Sequence, residues 1–256
     1  MRQFFRKLKP SRGFAHVLYI ILNILLPVLV LMLVKIDFTI LALLVILISK
    51  WRMFAVRPRF WWANIRANAV DIIVGMSVLG FMTVSPNDWY LVGFAVAWMI
   101  WLIFVKPSVS VFWISGQALL GQAAGLLALF AVYPQAPLWV LVLSAGAICY
   151  FSAHHFFYSF DEPFTVLLAH IWAYFATALT WVLAHWLVFY WIVAQPALIL
   201  ISLSVILGTM YYLDHFDRLS AWVRRQLVFI GFAVVIILWV TLMYLYWIHG
   251  GETIVV

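Results

Sequence analysis

Long apolar runs alternate with short polar breaks along this chain, and the rhythm is that of helices made to cross a bilayer. A hydrocarbon core of about 30 Å takes roughly 20 helical residues, and several runs reach that length. The breaks fall at Lys35-Ile36-Asp37, the basic stretch from Lys50, Ser85-Pro86-Asn87-Asp88, Lys106-Pro107, Pro134–Pro137, Ser159–Pro163, Gln195-Pro196 and Asp214–Gln226. They predict nine transmembrane helices, at about 14–34, 36–53, 68–84, 89–105, 109–132, 137–157, 163–194, 196–213 and 227–248. Residues 50–67 read as an interfacial basic segment, its helical part opened by Pro58. The seventh run would measure about 48 Å as one helix, so a tilt, a kink or a projection beyond the bilayer is expected there.

Charge orients the bundle. Lys50, Arg52, Arg57, Arg59 and Arg66 crowd one short loop together with Trp51, Trp61 and Trp62. Short basic loops stay cytoplasmic, and Trp collects at the headgroup boundary. Nine crossings from a cytoplasmic N-terminus to an external C-terminus put all of the 15 Lys and Arg except Lys35 on the cytoplasmic side. Splitting the seventh run in two would send Arg218, Arg224 and Arg225 outside. Arg52, Arg57, Arg59 and Arg66 are thus expected to meet anionic lipid headgroups.

Composition closes off other classes. With 68% hydrophobic and 9% charged residues, the chain reads as one transmembrane domain over 1–256, an all-α polytopic bundle. The net charge of +7 is explained by the membrane-facing cations, and no nucleic-acid motif accompanies it. The basic N-terminus (Arg2, Arg6, Lys7, Lys9, Arg12) precedes an apolar run with no small-x-small cleavage site, so a retained first helix is expected. Cys149 is alone, and no N-x-S/T site is present. The expected setting is a plasma membrane or a bacterial inner membrane.

Candidate chemistry is sparse. Helical spacing aligns Asn64, Asn68 and Asp71, with Gly75 one turn further on. Asp71 is expected at the inner leaflet, paired with Arg66 or another loop cation, because an unpaired charge there is costly. Gly121 and Gly125 form a GxxxG face that suits close helix packing. Gln117 and Gln122 on the same helix are the alternative polar path. The densest polar stretch is His154-His155, Asp161-Glu162 and His170, at the same expected depth as Asp214, His215 and Asp217. These residue types ligate metals and carry protons. They would form a site only if they share one vestibule. Against that stand the spacing, which matches no metalloenzyme signature, and Ser159-x-x-Glu162, which reads as a capping box for the seventh helix. No metal or cofactor is expected.

Three function classes follow: first a structural or accessory subunit of a membrane assembly, binding a partner through small-residue helix faces. A small-solute or lipid transporter is the alternative, weakened by the lack of a mid-membrane ionisable pair or a broken-helix repeat. A membrane enzyme using the His/Asp/Glu cluster is the third.

Overall fold

The computed structural model describes residues 14–190 and 193–248. Among them nine α-helices follow one another: α1 (Phe14–Lys35), α2 (Thr39–Ile48), α3 (Trp61–Thr83), α4 (Asp88–Ile100), α5 (Val111–Val132), α6 (Leu138–Tyr158), α7 (Thr165–Leu183), α8 (Gln195–His215) and α9 (Ala221–Ile248). A π-helical turn, Trp101–Val105, extends α4. Seven helical stretches are long and apolar enough to cross a membrane: α1, α3, α4 with its π turn, α5, α6, α7 and α8. The fold is an all-α bundle of membrane-spanning type.

Its helices pack in two groups. Val30, Ile46, Val74, Val78 and Trp98 build one core among α1–α4. Leu126, Leu141, Cys149, Ala176 and Leu200 build another among α5–α8. The seam between them is α3 against α5, and small residues make it close. A Cβ on Gly121 would sit 2.6 Å from Val70, one on Gly125 2.7 Å from Ile73, and one on Gly80 2.9 Å from Val132. The Gly121/Gly125 face is therefore used within the chain, by α3. Gly146 does the same between α6 and α7, facing Thr177.

Four elements depart from the sequence reading. The second crossing is not one helix over 36–53. α2 has 10 residues, about 15 Å, half of a hydrocarbon core. It stops where Ser49 donates its hydroxyl to the Ile46 carbonyl and Lys50 turns inward. The chain then continues through 3-10 turns at Trp51–Met53 and Pro58–Phe60. The helix expected at 68–84 starts earlier, at Trp61, so the helical part of the basic segment belongs to α3 itself.

The seventh run is neither a tilted nor a kinked 32-residue helix. α7 ends at Leu183, and a 3-10 turn at Ala184–Trp186 leads into a two-stranded hairpin, β1 (Phe189–Tyr190) and β2 (Val193–Ala194). Strand pairing satisfies the backbone polar groups that the helix no longer satisfies, as apolar surroundings demand. Val188 and Ala194 are buried, and the Gln195 amide donates back to the Val188 carbonyl. The ninth helix starts at Ala221, not 227, because Ser220 caps it by accepting from the Val223 amide at 3.2 Å.

Candidate functional site

The first polar centre is where the second crossing breaks. Asp71 lies ten residues past Trp61 and twelve before Thr83, in the middle of α3 rather than near its start. It is 8% exposed and accepts Lys50 and Lys106 on one carboxylate oxygen, the latter at 2.5 Å. The other oxygen accepts from Trp101 Nε1 at 3.3 Å. Lys50 is sealed at 9% exposure and Lys106 is open at 34%. The partners of Asp71 are thus Lys50 and Lys106, and Arg66 is not among them. An ionisable cluster is thus present at the middle of α3, where the sequence reading expected no mid-membrane ionisable pair.

Each lysine also follows a helix C-terminus, α2 for Lys50 and the π turn of α4 for Lys106. The negative ends of those helices add to the carboxylate in balancing two cations. The arrangement is a clamp that ties α2, α3 and α4 together at the break. Asn64 and Asn68 serve the same region. Asn64 Nδ2 donates to the Met53 carbonyl at 3.2 Å, and Asn68 Nδ2 to the Asn64 carbonyl at 2.9 Å.

The second feature is a cavity of about 670 Å³ bounded by α5, α6, α7 and α8. That volume falls within the roughly 300–1,000 Å³ of ligand pockets. Its walls are Leu119, Phe156, Leu168, Phe175, Leu207 and similar side chains. Ile171 and Leu207 on its rim are 57% and 49% exposed, so it opens sideways between α7 and α8. The floor is polar: Gln122 Nε2 donates to Ser204 Oγ at 2.5 Å, and Trp172 Nε1 donates to Gln122 Oε1 at 3.2 Å. Ser152 Oγ, also lining it, is buried with no hydrogen-bond partner. At the other end Tyr211 donates to Glu162 at 2.5 Å beside Asp214. From Ser204 to Asp214 the groove follows ten residues of α8, about 15 Å or one leaflet.

The histidines and carboxylates do not all share one vestibule, although His154 and His170 both flank the Tyr150 ring, at 6.0 and 4.8 Å. His154 faces Arg66 across 3.4 Å. His155 turns to the other side, 3.4 Å from Gln117 Oε1, while Gln117 Nε2 holds the Val105 carbonyl at 2.6 Å. Adjacent residues on a helix point about 100° apart, which is why the pair splits. His170 is exposed on α7 and bonds the Val166 carbonyl at 2.7 Å. Glu162 goes to Tyr211, and His215 packs on Phe160. Ser159-x-x-Glu162 is not a capping box, because α7 starts at Thr165. Ser159 instead donates to the Phe156 carbonyl. Among the described residues no three of His, Cys, Asp and Glu are grouped to hold a metal.

Asp161 and Asp217 are spent on backbone geometry, with φ of 56° and 54° beyond the ends of α6 and α8. Of the loop cations, Arg59 lies over the Phe60 ring at 4.6 Å. Arg57 leads into the Pro58 turn as its N-cap residue. The Arg52 side chain lies outside the described residues, as do the N-terminal cations and the tail from His249.

No family model matches the sequence, and no curated protein or solved structure matches it either. Fold and site together define a polytopic α-helical integral membrane protein with a laterally open apolar groove.

Proposed function

We propose that this chain is a lipid-accommodating membrane protein that takes one apolar chain of a lipid or lipid-linked molecule sideways into the groove between α7 and α8. The observation that carries the reading is the groove itself: apolar walls one leaflet long, a side opening, and a polar floor at Gln122, Ser204 and Ser152. Such a space suits an amphiphile better than a hydrated solute, which would need more polar groups along the path. The enzyme reading would require the His and carboxylate side chains to converge, and they occupy separate faces.

Gly208 supplies the test. Its Cβ position looks into the groove, 3.4 Å from Leu119 and 3.5 Å from Phe156. Gly208→Leu should fill the space. Labelling of the purified protein by a photoactivatable phospholipid should then fall about tenfold, while a peripheral control, Phe232→Leu on α9, keeps it. Equal labelling of Gly208→Leu and the unmodified chain would end the reading.

The accessory-subunit reading draws on α9. This helix packs chiefly on α8 and leaves Phe229, Phe232, Ile236 and Trp239 at least 58% exposed. Crosslinking from Phe232 in native membranes should then give one discrete adduct rather than lipid alone. The expected setting remains a plasma or bacterial inner membrane with the basic end of the bundle in the cytoplasm. That sidedness rests on the cation distribution.

A further inference from the structure

On the face of the α6–α7 pair opposite the groove, three basic side chains from three helices meet at one depth. Arg66 is five residues into α3, His154 four from the end of α6, and His170 five into α7. Each therefore lies about 6–8 Å from the basic end of its helix. The Tyr150 ring bridges the two histidines, its centroid 6.0 Å from His154 and 4.8 Å from His170. Trp62 and Phe151, 6.1 Å apart, wall one side.

Arg66 is the unsettled member. Among the described residues its Nε is buried with no hydrogen-bond partner, and its hydrogen bond is the 3.4 Å contact to the His154 ring. Among the described residues no carboxylate pairs with it, since Asp71 is taken by Lys50 and Lys106. Arg66 and His170 lie in the second turns of α3 and α7, toward the helix ends that favour anions rather than cations. A guanidinium half-removed from water needs an anion. The ring nitrogens are placed to help. His170 donates Nδ1–H to the Val166 carbonyl, so its Nε2 can donate to a phosphate only when the ring carries both protons. His154 uses Nε2 toward Arg66 and leaves Nδ1.

We propose that Arg66, His154 and His170 form a phosphate site, and that its occupant is the headgroup phosphate of an anionic glycerophospholipid. A phosphate suits the fork of an arginine and accepts several donors at once. The lipid source is favoured by location. Val166 and Tyr174 beside His170 are 47% and 77% exposed, an apolar rim on which acyl chains would lie. The site is separate from the groove, so each reading fails on its own test.

The experiment uses the full chain in vesicles of equal parts phosphatidylglycerol and phosphatidylcholine, with retained lipid read by native mass spectrometry. The unmodified protein should retain phosphatidylglycerol preferentially. Arg66→Gln should cut that preference about tenfold, the loss of one charge-assisted contact. Arg66→Lys should keep part of it, and Gly208→Leu all of it. Arg59→Gln, a loop cation stacked on Phe60, should change it less than twofold. If Arg66→Gln does not fold, the exposed His170→Gln gives the same reading with a loss of about threefold. An unchanged preference in a folded Arg66→Gln, or an equal loss in Arg59→Gln, overturns the site. Inorganic phosphate is the second probe. An Arg66-dependent thermal shift with phosphate, without any phosphatidylglycerol preference, overturns the lipid assignment in favour of a soluble phosphate.

Discussion

At the scale of single residues, some carboxylates hold helices together, Asp71 foremost, and others end them. Asp37 and Asp217 have φ of 60° and 54°, just past α1 and α8. In both cases the next amide reaches back five residues, Phe38 to Leu33 at 2.9 Å and Arg218 to Leu213 at 2.8 Å. This is the Schellman closure, which favours glycine and tolerates Asp. Asp217→Gly should therefore leave the melting temperature in detergent unchanged or slightly higher. Asp217→Val should cost about 1–2 kcal/mol, because a β-branched residue resists the left-handed region. A large loss in Asp217→Gly would mean that the side chain, not the backbone, is what matters. Asp71 behaves oppositely. Asp71→Asn leaves two lysines around a neutral amide, and breaking a buried pair in this way costs about 3–5 kcal/mol. Folded yield in detergent should drop sharply, and Asp71→Leu with Lys50→Met and Lys106→Met should recover much of it. Normal yield with altered solute flux would instead make Asp71 a transport residue. That Asp71 needs a partner was legible from one ionisable group in an apolar run. Pairing with a cation of the basic loop was legible too and is met by Lys50, whereas Lys106 was not, because it comes from α4 and is brought in only by packing.

At the scale of elements, helix existence was legible and helix integrity was not. Nine apolar segments were separable by Pro, Asn and charge, yet the sequence gives no local reason for α2 to stop at Ile48. The break depends on Lys50 finding Asp71, a tertiary contact that overrides the apolar run. The residues after Leu183 are similar: Trp186 through Ala194 are as apolar as a helix, but Val188, Phe189 and Tyr190 also suit a strand. Apolar content alone does not decide between the two. Small-residue faces were read correctly as packing faces, with their partner, α3, fixed only by the fold. Gly121→Val tests that seam. Its new Cβ would meet Val70 at 2.6 Å, so the helices must separate or Val70 must yield. A destabilisation of about 1–3 kcal/mol is expected from overpacking. Val70→Ala should recover part of it, measured as a coupling in a double-mutant cycle. Strict additivity would show that the α3–α5 contact is looser than its geometry.

At the scale of the whole molecule, two helix groups share one seam. The first carries the charge clamp, the second the groove, and the phosphate-site residues lie where α3 of the first meets α6 and α7 of the second. The chain direction can be followed through contacts. Lys35 at the end of α1 pairs with Asp88 at the start of α4 at 2.7 Å, so these ends share one side of the bundle. Tyr19, near the other end of α1, donates to the Leu102 carbonyl at 3.4 Å, beside the π turn of α4. α2 starts beside that first side and reaches only to the depth of Asp71. The turns at 51–60 then carry the chain on to the start of α3. A half-helix plus irregular backbone thus covers the stretch from α1 to α3, and on that path we expect the alternation of sides to be preserved. The same holds for the segment after α7. Because its hairpin turns back on itself, it adds no crossing, and α8 returns the chain to the basic end. We therefore expect the N-terminus and the loops at 51–60, 106–110, 159–164 and 216–220 on the cytoplasmic side, and the C-terminus outside. A reporter active only in the cytosol should be silent when fused after Val256 and bright when fused after Asp217. Brightness at both positions would mean that α9 lies along the membrane instead of crossing it. Darkness after Asp217 with brightness after Val256 would invert the bundle and place the basic loop outside, against the distribution of its cations.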